Sequence, residues 1–540
     1  MIVLALAAAL PWISAGDHAL YPPDEGRYAS ASQSIVSGGH WLVPMVDGRA
    51  HLTKPPLAYW LQSIALRLLG HDELAVRLPS LIASTALVML VFFAGRRWRG
   101  WRFGLCAAAV LSVMPLHVVV GRMAITDPLL AACWFMALLG GLWAAESGRI
   151  AHVLLLWTGI ALGLMVKGPL ALTPLAVILA WLIVSGRWRD MRRLHPMVGL
   201  PLAVAPLLIW AVLAARAYPE AWTLWRSQTL GRIVGEVGAK SHSEPPWFYL
   251  PIFIAGLFPA TVMFRLPWLN VSWRGSVQAI RRGDQTAFWI IAIIVPLLSF
   301  IAMTGKLATY LLPLAAPAAM LAAIAVERWI SGETDVPSDG SRPADFVPAL
   351  SIVNIVLAAL AFVALFFWRR DIAPLPLALA ALALVSIGLW RLAGGRVESR
   401  IAWLAAVWLA AVGSWCGFFE CEDTIRAPTD QGQLVERLRR LTGHNHLHVA
   451  IYGFHDPCIE FYAASDVEQM HDAPGLAQLA ASGDDALVLL VDPVDWDQLL
   501  QTRPDLQSMY TRVESLRRWF DKRMDVYRPA RVVALSGPIS

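Results

Sequence analysis

The sequence has 540 residues, 57% of them hydrophobic and 15% charged, with a formal net charge of +5 at pH 7. Its mean hydropathy is +0.56. Soluble globular proteins carry roughly 25% charged residues, so the composition excludes that class and indicates a polytopic membrane protein. The basic residues form short clusters between apolar runs, which is typical of membrane topology signals and argues against nucleic acid as a partner.

Apolar runs bounded by charges, proline or glycine predict thirteen membrane spans, the first at the start of the chain. A cleaved signal peptide is the alternative for that first run. The predicted spans are 1–15, 76–95, 104–120, 127–145, 151–166, 168–185, 197–215, 247–264, 286–303, 308–326, 347–368, 373–390 and 401–419.

Four basic clusters predict which side of the membrane each loop faces. They lie at 96–102, 186–195, 265–282 and 391–400. These clusters fall in alternate loops, so those loops are expected in the cytoplasm and the remaining loops outside. The compact polar motifs then lie on the outer side or at the outer membrane boundary, which predicts one outward-facing site.

The predicted spans divide the chain into two domains. A membrane domain, 1–419, contains a first outer loop at 16–75 and a large outer loop at 216–246. The first loop is expected to lie flat on the membrane, because 57–70 has the pattern of an interfacial amphipathic helix. A soluble α/β domain follows at 420–540 and is expected outside.

The C-terminal domain is predicted from a change in composition and periodicity. Its predicted strands are 448–454, 486–492 and 531–535, and its predicted amphipathic helix is 431–441. A disulfide between Cys421 and Cys458 is possible if this domain is exported.

Several motifs follow one another in a characteristic order. "DEGRYA" begins at Asp24, "KPP" follows at 54–56, and "RMAITDP" lies at 122–128. "PPWFYLP" and "GKLATYLLP" come later, at 245–251 and 305–313. Together they resemble the membrane glycosyltransferases of the GT-C fold, specifically the bacterial aminoarabinose transferases of lipid A and their relatives among the protein O-mannosyltransferases. The resemblance extends over essentially the whole chain.

The resemblance implies an inverting glycosyltransferase that moves one sugar from an undecaprenyl phosphate donor to a periplasmic acceptor. The leading expectation is transfer of 4-amino-4-deoxy-L-arabinose to a lipid A phosphate. Its partners would be the lipid-linked donor, lipid A or another periplasmic glycan, and membrane lipid. The protein would be a multi-pass protein of the bacterial inner membrane, with its active site and C-terminal domain in the periplasm.

Two alternative functions stay open. The first is transfer of a hexose from polyprenyl phosphate to another glycan or to a protein. The second is a lipid or solute transporter, which would carry ionisable residues near the bilayer midplane. In this sequence the polar residues collect at one surface instead, which favours chemistry at the interface.

The resemblance also implies roles for individual residues. Asp24 is the expected catalytic carboxylate: a general base for a hydroxyl acceptor, or, for a phosphate acceptor, a group that stabilises positive charge at the anomeric carbon. Asp127 is a second catalytic candidate, with helix capping as its structural alternative. Glu25 is expected to contact substrate or support the loop, and Arg27 to hold Asp24 or contact phosphate.

The expected phosphate site consists of cations and tyrosines. Lys54 would bind the donor phosphate and stabilise the negative charge on the leaving group, with an interfacial snorkelling lysine as the alternative. Three further cations are candidates for a funnel: Arg122, Lys167 and Lys306. Tyr59 and Tyr310 would donate hydrogen bonds to the phosphate or sugar, with an interfacial aromatic belt as the alternative for Tyr59.

A divalent metal, Zn²⁺ or Mg²⁺, is a further expectation. The resembled transferases bind one with a histidine and with an acidic residue just before Lys-Pro-Pro, which points to His242 and Glu244 of the large outer loop. Here Thr53 precedes Lys54, so the ligand set is incomplete. No cofactor is expected to be required, because a polyprenyl phosphate donor has no diphosphate for a metal to bind.

Overall fold

A computed structural model describes residues 1–46, 48–225, 244–263, 284–303, 305–331, 397–426, 431–464, 467–518 and 522–531. The chain divides into two units. The first, here called the membrane unit, comprises 1–15, 53–58 and 79–421. The second, here called the loop–sheet unit, comprises 16–52, 59–78 and 422–540.

Helices dominate the described chain. In order they are α1 (Ile2–Ala9), α2 (Asp24–Gly38), α3 (Leu57–Leu69), α4 (Glu73–Arg99), α5 (Trp101–Ser112), α6 (Pro115–Val120), α7 (Thr126–Ser147), α8 (Ile150–Lys167), α9 (Thr173–Val184), α10 (Pro196–Ala217), α11 (Tyr249–Gly256), α12 (Ala260–Met263), α13 (Gln285–Ala302), α14 (Ala315–Ser331), α15 (Val397–Arg426), α16 (Gln431–Thr442), α17 (Pro457–Ala463), α18 (Ala473–Ala481), α19 (Pro493–Thr502) and α20 (Asp505–Met509). Short 3₁₀ segments at Gly168–Leu172 and Ala308–Leu314 precede α9 and α14.

The apolar helices confirm a polytopic helical membrane protein. Within the described residues, six helical segments are long and apolar enough to span a bilayer: Glu73–Arg99, Thr126–Ser147, Ile150–Val184, Pro196–Ala217, Gln285–Ala302 and Ala308–Ser331. The predicted spans at 347–368 and 373–390 lie outside the described residues, so the total of thirteen spans stays a prediction.

Glycine allows α7 and α8 to pack closely. A Cβ atom at Gly140 would lie 2.2 Å from the backbone nitrogen of Leu156, and one at Gly159 would lie 2.7 Å from the backbone nitrogen of Ala137. A larger residue at either position would clash with backbone, so small residues permit this approach between membrane helices. The packing brings the end of α8 beside the start of α7.

A five-stranded sheet forms the centre of the C-terminal domain. The strands of the described chain are β1 (Met45–Val46), β2 (Arg49–Ala50), β3 (His448–Tyr452), β4 (Val467–Met470), β5 (Leu487–Val491), β6 (Tyr510–Arg518) and β7 (Lys522–Pro529). β1 and β2 form a separate hairpin in the first loop. The order of the five-stranded sheet is β4, β3, β5, β7, β6. β3 pairs in parallel with β4 and β5, whereas β7 pairs antiparallel with β5 and β6.

The central strand β5 is buried on both faces, which explains its continuous apolar sequence. Val488 and Leu490 pack in one cluster, and Leu489 packs in another with Trp496 of α19. The predicted strands at 448–454 and 486–492 are confirmed by β3 and β5, and the predicted helix is confirmed by α16. Strands β4, β6 and β7 were not predicted, and 532–535 of the last predicted strand lie outside the described residues.

The first loop packs on the C-terminal domain. In the loop–sheet unit, α2 contacts α17, and the Ser30 hydroxyl donates a hydrogen bond of 2.8 Å to the carbonyl oxygen of Pro457. The sequence predicts loop 16–75 as part of the membrane domain, and in the structure 16–52 and 59–78 belong to the same unit as the sheet. The boundary expected at 419/420 itself stays a prediction.

Candidate functional site

Asp24 lies in the first turn of α2, where the positive end of the helix dipole favours a carboxylate. Its side chain is 58% exposed, and an Arg27 Nη1 atom lies 3.5 Å from its Oδ1 atom. The structure therefore places Arg27 beside Asp24, as expected from their spacing of one helical turn. Asp24 is therefore an accessible carboxylate with a positive charge beside it.

Glu25, the residue that follows Asp24, is buried and not exposed. Its side chain is 0% exposed and accepts hydrogen bonds from Nε and Nη2 of Arg77, at 3.0 and 2.7 Å. It also accepts one from the backbone N–H of Tyr21 at 2.8 Å. A bidentate carboxylate–guanidinium pair of this kind is strong and directional. The structure thus places Glu25 in a supporting position and not on an accessible surface.

Arg77 was not identified from the sequence. Besides binding Glu25, it donates hydrogen bonds to the carbonyl oxygens of His18 and Ala19, at 2.8 and 3.0 Å. The signal was present, because Arg77 is a charged residue within the predicted apolar span 76–95, and such residues are seldom incidental. Its partner could not be named from local sequence.

Tyr59 is fully buried in a hydrophobic cluster of the loop–sheet unit with Ala31, Ile35 and Val46. Its ring stacks on that of Tyr28, with 5.5 Å between the ring centroids. The expected hydrogen bond from Tyr59 to the phosphate or sugar, and the interfacial alternative, stay predictions.

The membrane unit brings three of the candidates together. Nζ of Lys167 lies 2.7 Å from Oδ1 of Asp127, and both side chains are buried. The same Nζ atom lies 4.6 Å from the ring centroid of Tyr310, which places the cation over the aromatic face. The N-cap residue of α7 is Ile125, so Asp127 lies within the first turn of the helix and pairs there with Lys167.

Helix ends explain why this pair forms. Asp127 is in the first turn of α7 and Lys167 is the last residue of α8, so each charge lies at the helix end that stabilises it. Gly168 follows with φ of 70°, a conformation that glycine adopts without strain. The chain therefore turns sharply after Lys167.

Two other candidate cations are buried in local contacts. Nζ of Lys306 donates to the carbonyl oxygen of Met303 at 2.7 Å. Arg122 donates to the carbonyl oxygen of Ser14 at 2.8 Å and lies 3.7 Å from the ring centroid of Phe419. Lys54 is half-buried in the turn that precedes α3. Of the expected funnel, Arg27 and Lys54 therefore retain the greatest access to solvent.

The described residues do not assemble a metal site. Glu244 is exposed in the segment before α11, and His242 lies outside the described residues. No group of three or more His, Cys, Asp or Glu residues in the described part of the chain is arranged to hold a metal ion. The predicted metal site therefore stays a prediction, since one of its two expected ligands is not described.

The Cys458 thiol donates a hydrogen bond to the carbonyl oxygen of Leu20 at 3.8 Å. Cys458 is therefore a buried residue at the start of α17, and the possible bridge to Cys421 stays a prediction. The side chain of Cys421 lies outside those described.

Comparisons in sequence identify related proteins. Residues 53–211 match the family model described as "Dolichyl-phosphate-mannose-protein mannosyltransferase". The chain is 32% identical over 329 residues to "Undecaprenyl phosphate-alpha-4-amino-4-deoxy-L-arabinose arabinosyl transferase" of Edwardsiella ictaluri, covering 58% of this chain and 56% of that one. It is 34% identical over 335 residues to a protein of the same name, numbered 2, from Sodalis glossinidius, covering 60% and 58%. The chain thus spans less than two thirds of the length of these relatives.

Comparison of folds extends over the whole chain. The crystal structure of ArnT from Cupriavidus metallidurans bound to undecaprenyl phosphate matches with a TM-score of 0.76 and 18% identity, covering 100% of this chain and 99% of that one. The structure of the same protein in the apo state matches with a TM-score of 0.75. At this identity the match shows the fold. The chain is therefore a polytopic membrane protein of the GT-C fold, ArnT-like in architecture, with a C-terminal sheet domain.

Proposed function

We propose that this protein is an inverting glycosyltransferase that moves 4-amino-4-deoxy-L-arabinose from undecaprenyl phosphate to a phosphate of lipid A. The names of the relatives, which are undecaprenyl phosphate aminoarabinose transferases, support this donor and sugar. The fold match to an ArnT bound to undecaprenyl phosphate supports a lipid-phosphate donor. The partners are then the lipid-linked sugar, lipid A and the membrane itself.

The contrast between Asp24 and Glu25 carries the proposal. Glu25 is buried and neutralised by Arg77, whereas Asp24 is exposed beside Arg27. The environment of a carboxylate determines the role it can take, so two neighbouring carboxylates can serve different purposes. The fold therefore uses one carboxylate to fix the start of α2 and leaves the other available to substrate.

The chemistry is one displacement at the anomeric carbon of the sugar. The bond from that carbon to the phosphate oxygen of the donor breaks, and the acceptor oxygen forms its bond from the opposite face, so the configuration inverts. Undecaprenyl phosphate leaves with the electron pair of the broken bond. A lipid A phosphate is already ionised near neutral pH, so Asp24 stabilises the positive charge that develops at the anomeric carbon. With a hydroxyl acceptor, Asp24 would instead remove its proton.

Lys54 is assigned to the donor phosphate. A lysine ammonium is a compact positive charge that stabilises a leaving phosphate as its negative charge grows. Its partial exposure before α3 supports this assignment. A phosphate leaving group with one such partner needs no diphosphate-binding metal, so the proposed reaction uses residues of the chain alone.

The proposed reaction takes place at the outer face of the inner membrane. The alternation of basic clusters along the sequence supports this orientation, because such clusters mark cytoplasmic loops. The donor would keep its lipid tail in the bilayer while its phosphate and sugar lie at the interface. The same argument supports a periplasmic location for the C-terminal domain.

Mass spectrometry of lipid A tests the proposal directly. Cells that lack the gene are complemented with the wild type, with Asp24→Asn or with Lys54→Ala, and the abundance of each variant in the membrane is measured. The wild type should add an aminopentose to a lipid A phosphate, and neither variant should restore it. Unchanged lipid A in cells that express the wild type would exclude this acceptor, and restoration by Asp24→Asn would exclude the role of Asp24.

A second candidate follows from the family model that matches residues 53–211, whose description names transfer of mannose to protein. In this case the acceptor would be a hydroxyl of a secreted protein. The same strains provide the test: hexose on periplasmic proteins, together with unchanged lipid A, would favour the second function over the first.

A further inference from the structure

Helix α17 of the C-terminal domain lies directly against the helix that carries Asp24. A Cβ atom at Gly26 would lie 2.5 Å from both the backbone nitrogen and the Sγ atom of Cys458. One turn later, the buried Ser30 hydroxyl donates to the carbonyl oxygen of Pro457 at 2.8 Å. Glycine at position 26 is therefore required for α2 to approach α17 this closely.

Tyr462 of α17 connects the segment before Asp24 to the start of α4. Its hydroxyl accepts a hydrogen bond from the backbone N–H of Leu20 at 2.9 Å and donates one to Oε1 of Glu73 at 2.8 Å. Burial raises the pKa of the Tyr462 phenol, and the charge of Glu73 adds to the rise. The hydroxyl consequently stays protonated and able to donate to Glu73.

The segment from His18 to Glu25 is thus held from two sides. Arg77 binds the carbonyl oxygens of His18 and Ala19 and the carboxylate of Glu25. Tyr462 binds the backbone N–H of Leu20 between them. Asp24 lies at the end of this segment, so its position depends on both groups.

We propose that Tyr462 and Arg77 are positioning residues for Asp24. The C-terminal domain then contributes to catalysis, because its helix α17 carries Tyr462. This inference rests on the proposed function, because it assumes that Asp24 acts in transfer. Neither residue contacts substrate. Each fixes the backbone that presents the carboxylate, and small displacements of a catalytic group reduce rate more than they reduce binding of substrate.

The test compares two substitutions that each remove one buried tyrosine hydroxyl from the same domain. Tyr462→Phe removes the hydrogen bonds to Leu20 and Glu73. Tyr510→Phe is the matched control, because the Tyr510 hydroxyl donates to the carbonyl oxygen of Leu476 at 2.7 Å, inside the domain and away from the first loop. Both variants are purified as full chains in detergent and assayed with undecaprenyl phosphate aminoarabinose and lipid A, alongside Asp24→Asn.

The expected result is a fall in kcat of about 10- to 100-fold for Tyr462→Phe, with the donor KM unchanged and wild-type kcat for Tyr510→Phe. Wild-type kcat for Tyr462→Phe, or an equal fall in both tyrosine variants, would overturn the positioning role while the proposed function stands. A rise in donor KM without a fall in kcat would also overturn it. Wild-type activity of Asp24→Asn would refute the role of Asp24, and the positioning role with it, whereas absence of transfer by the wild type would refute the proposed function itself.

Discussion

Lys167 and Asp127 form a buried ion pair, with Nζ 2.7 Å from Oδ1, at the junction of α7 and α8. Removal of one partner leaves the other charge buried and uncompensated, which costs about 3 to 5 kcal/mol. We expect Lys167→Met and Asp127→Leu each to lower the Tm of the purified protein. The double variant should recover most of the loss, because both charges are gone. Thermal unfolding in detergent provides the measurement.

Transfer by the double variant then decides the role of the pair. A folded double variant without activity would show that Asp127 or Lys167 acts in transfer as well as in folding. Activity equal to that of the wild type would exclude both from catalysis and leave the pair a structural role.

The adjacent carboxylates Asp24 and Glu25 should respond to substitution in opposite ways. Asp24 is exposed, so Asp24→Asn should change the free energy of unfolding by less than about 0.5 kcal/mol while transfer is lost. Glu25→Ala leaves Arg77 buried without its carboxylate and should cost about 3 to 5 kcal/mol. Thermal unfolding and transfer assays on the same samples separate the two effects. A large loss of stability in Asp24→Asn would contradict the assignment.

Gly26 should tolerate no side chain. In Gly26→Ala the added Cβ atom would lie 2.5 Å from the backbone nitrogen of Cys458, so α2 must shift from α17. Overpacking of this kind costs about 1 to 3 kcal/mol, and the shift should reduce transfer as well. Ser37→Ala, on an exposed part of the same helix, is the control and should match the wild type. Equal Tm and activity in both variants would contradict this account.

His71 should make stability depend on pH. Its ring stacks on Phe461 at 4.1 Å, and its Nδ1 and Nε2 atoms lie 3.0 Å from Oε1 of Gln33 and 2.9 Å from the carbonyl oxygen of Phe461. Burial lowers the pKa of His71 below its ordinary value of 6.5. Smaller opposing effects come from the Phe461 carbonyl, Glu73 and Asp72, and a small lowering effect comes from Arg439.

The sign of the pH dependence follows from that direction. As the pH falls below 6.5, the unfolded chain takes up a proton on His71 before the folded chain does, so the folded state loses stability. Between about pH 7.5 and about pH 5, the Tm of the wild type should therefore fall more than that of His71→Gln. A parallel fall in both proteins would show that His71 makes no contribution.

Local sequence patterns predicted the elements but not their long-range pairing. The apolar runs gave the spans around α7 and α8, and the apolar segments of the C-terminal domain gave β3 and β5, because periodicity and burial are local properties. Asp24 and Lys54 were identified because their motifs are contiguous. Asp127 and Lys167 were both candidates, yet their contact depends on the packing of α7 against α8.

The supporting contacts of Asp24 could not be predicted in this way. Leu20 and Tyr462 are 442 residues apart, and Glu25 and Arg77 are 52 apart. No single-sequence pattern pairs residues over such distances. The burial of Glu25 could not be predicted from the sequence either. Its neighbour Asp24 has the same charge and lies in the same helical turn, yet Asp24 is exposed.

The contact between α2 and α17 also bears on the order of events during biosynthesis. Ser30 is synthesised early, whereas Pro457, which accepts its hydrogen bond, is added 427 residues later. Contacts between such distant segments form late, and domains generally fold as their chains are completed. A translation product that stops before α17 can contain the apolar helices from α1 to α15, including Arg77, but it lacks the contacts of Tyr462 and Pro457 with the segment around Asp24. On the proposed function, full transfer activity is therefore expected only after the sheet domain has folded.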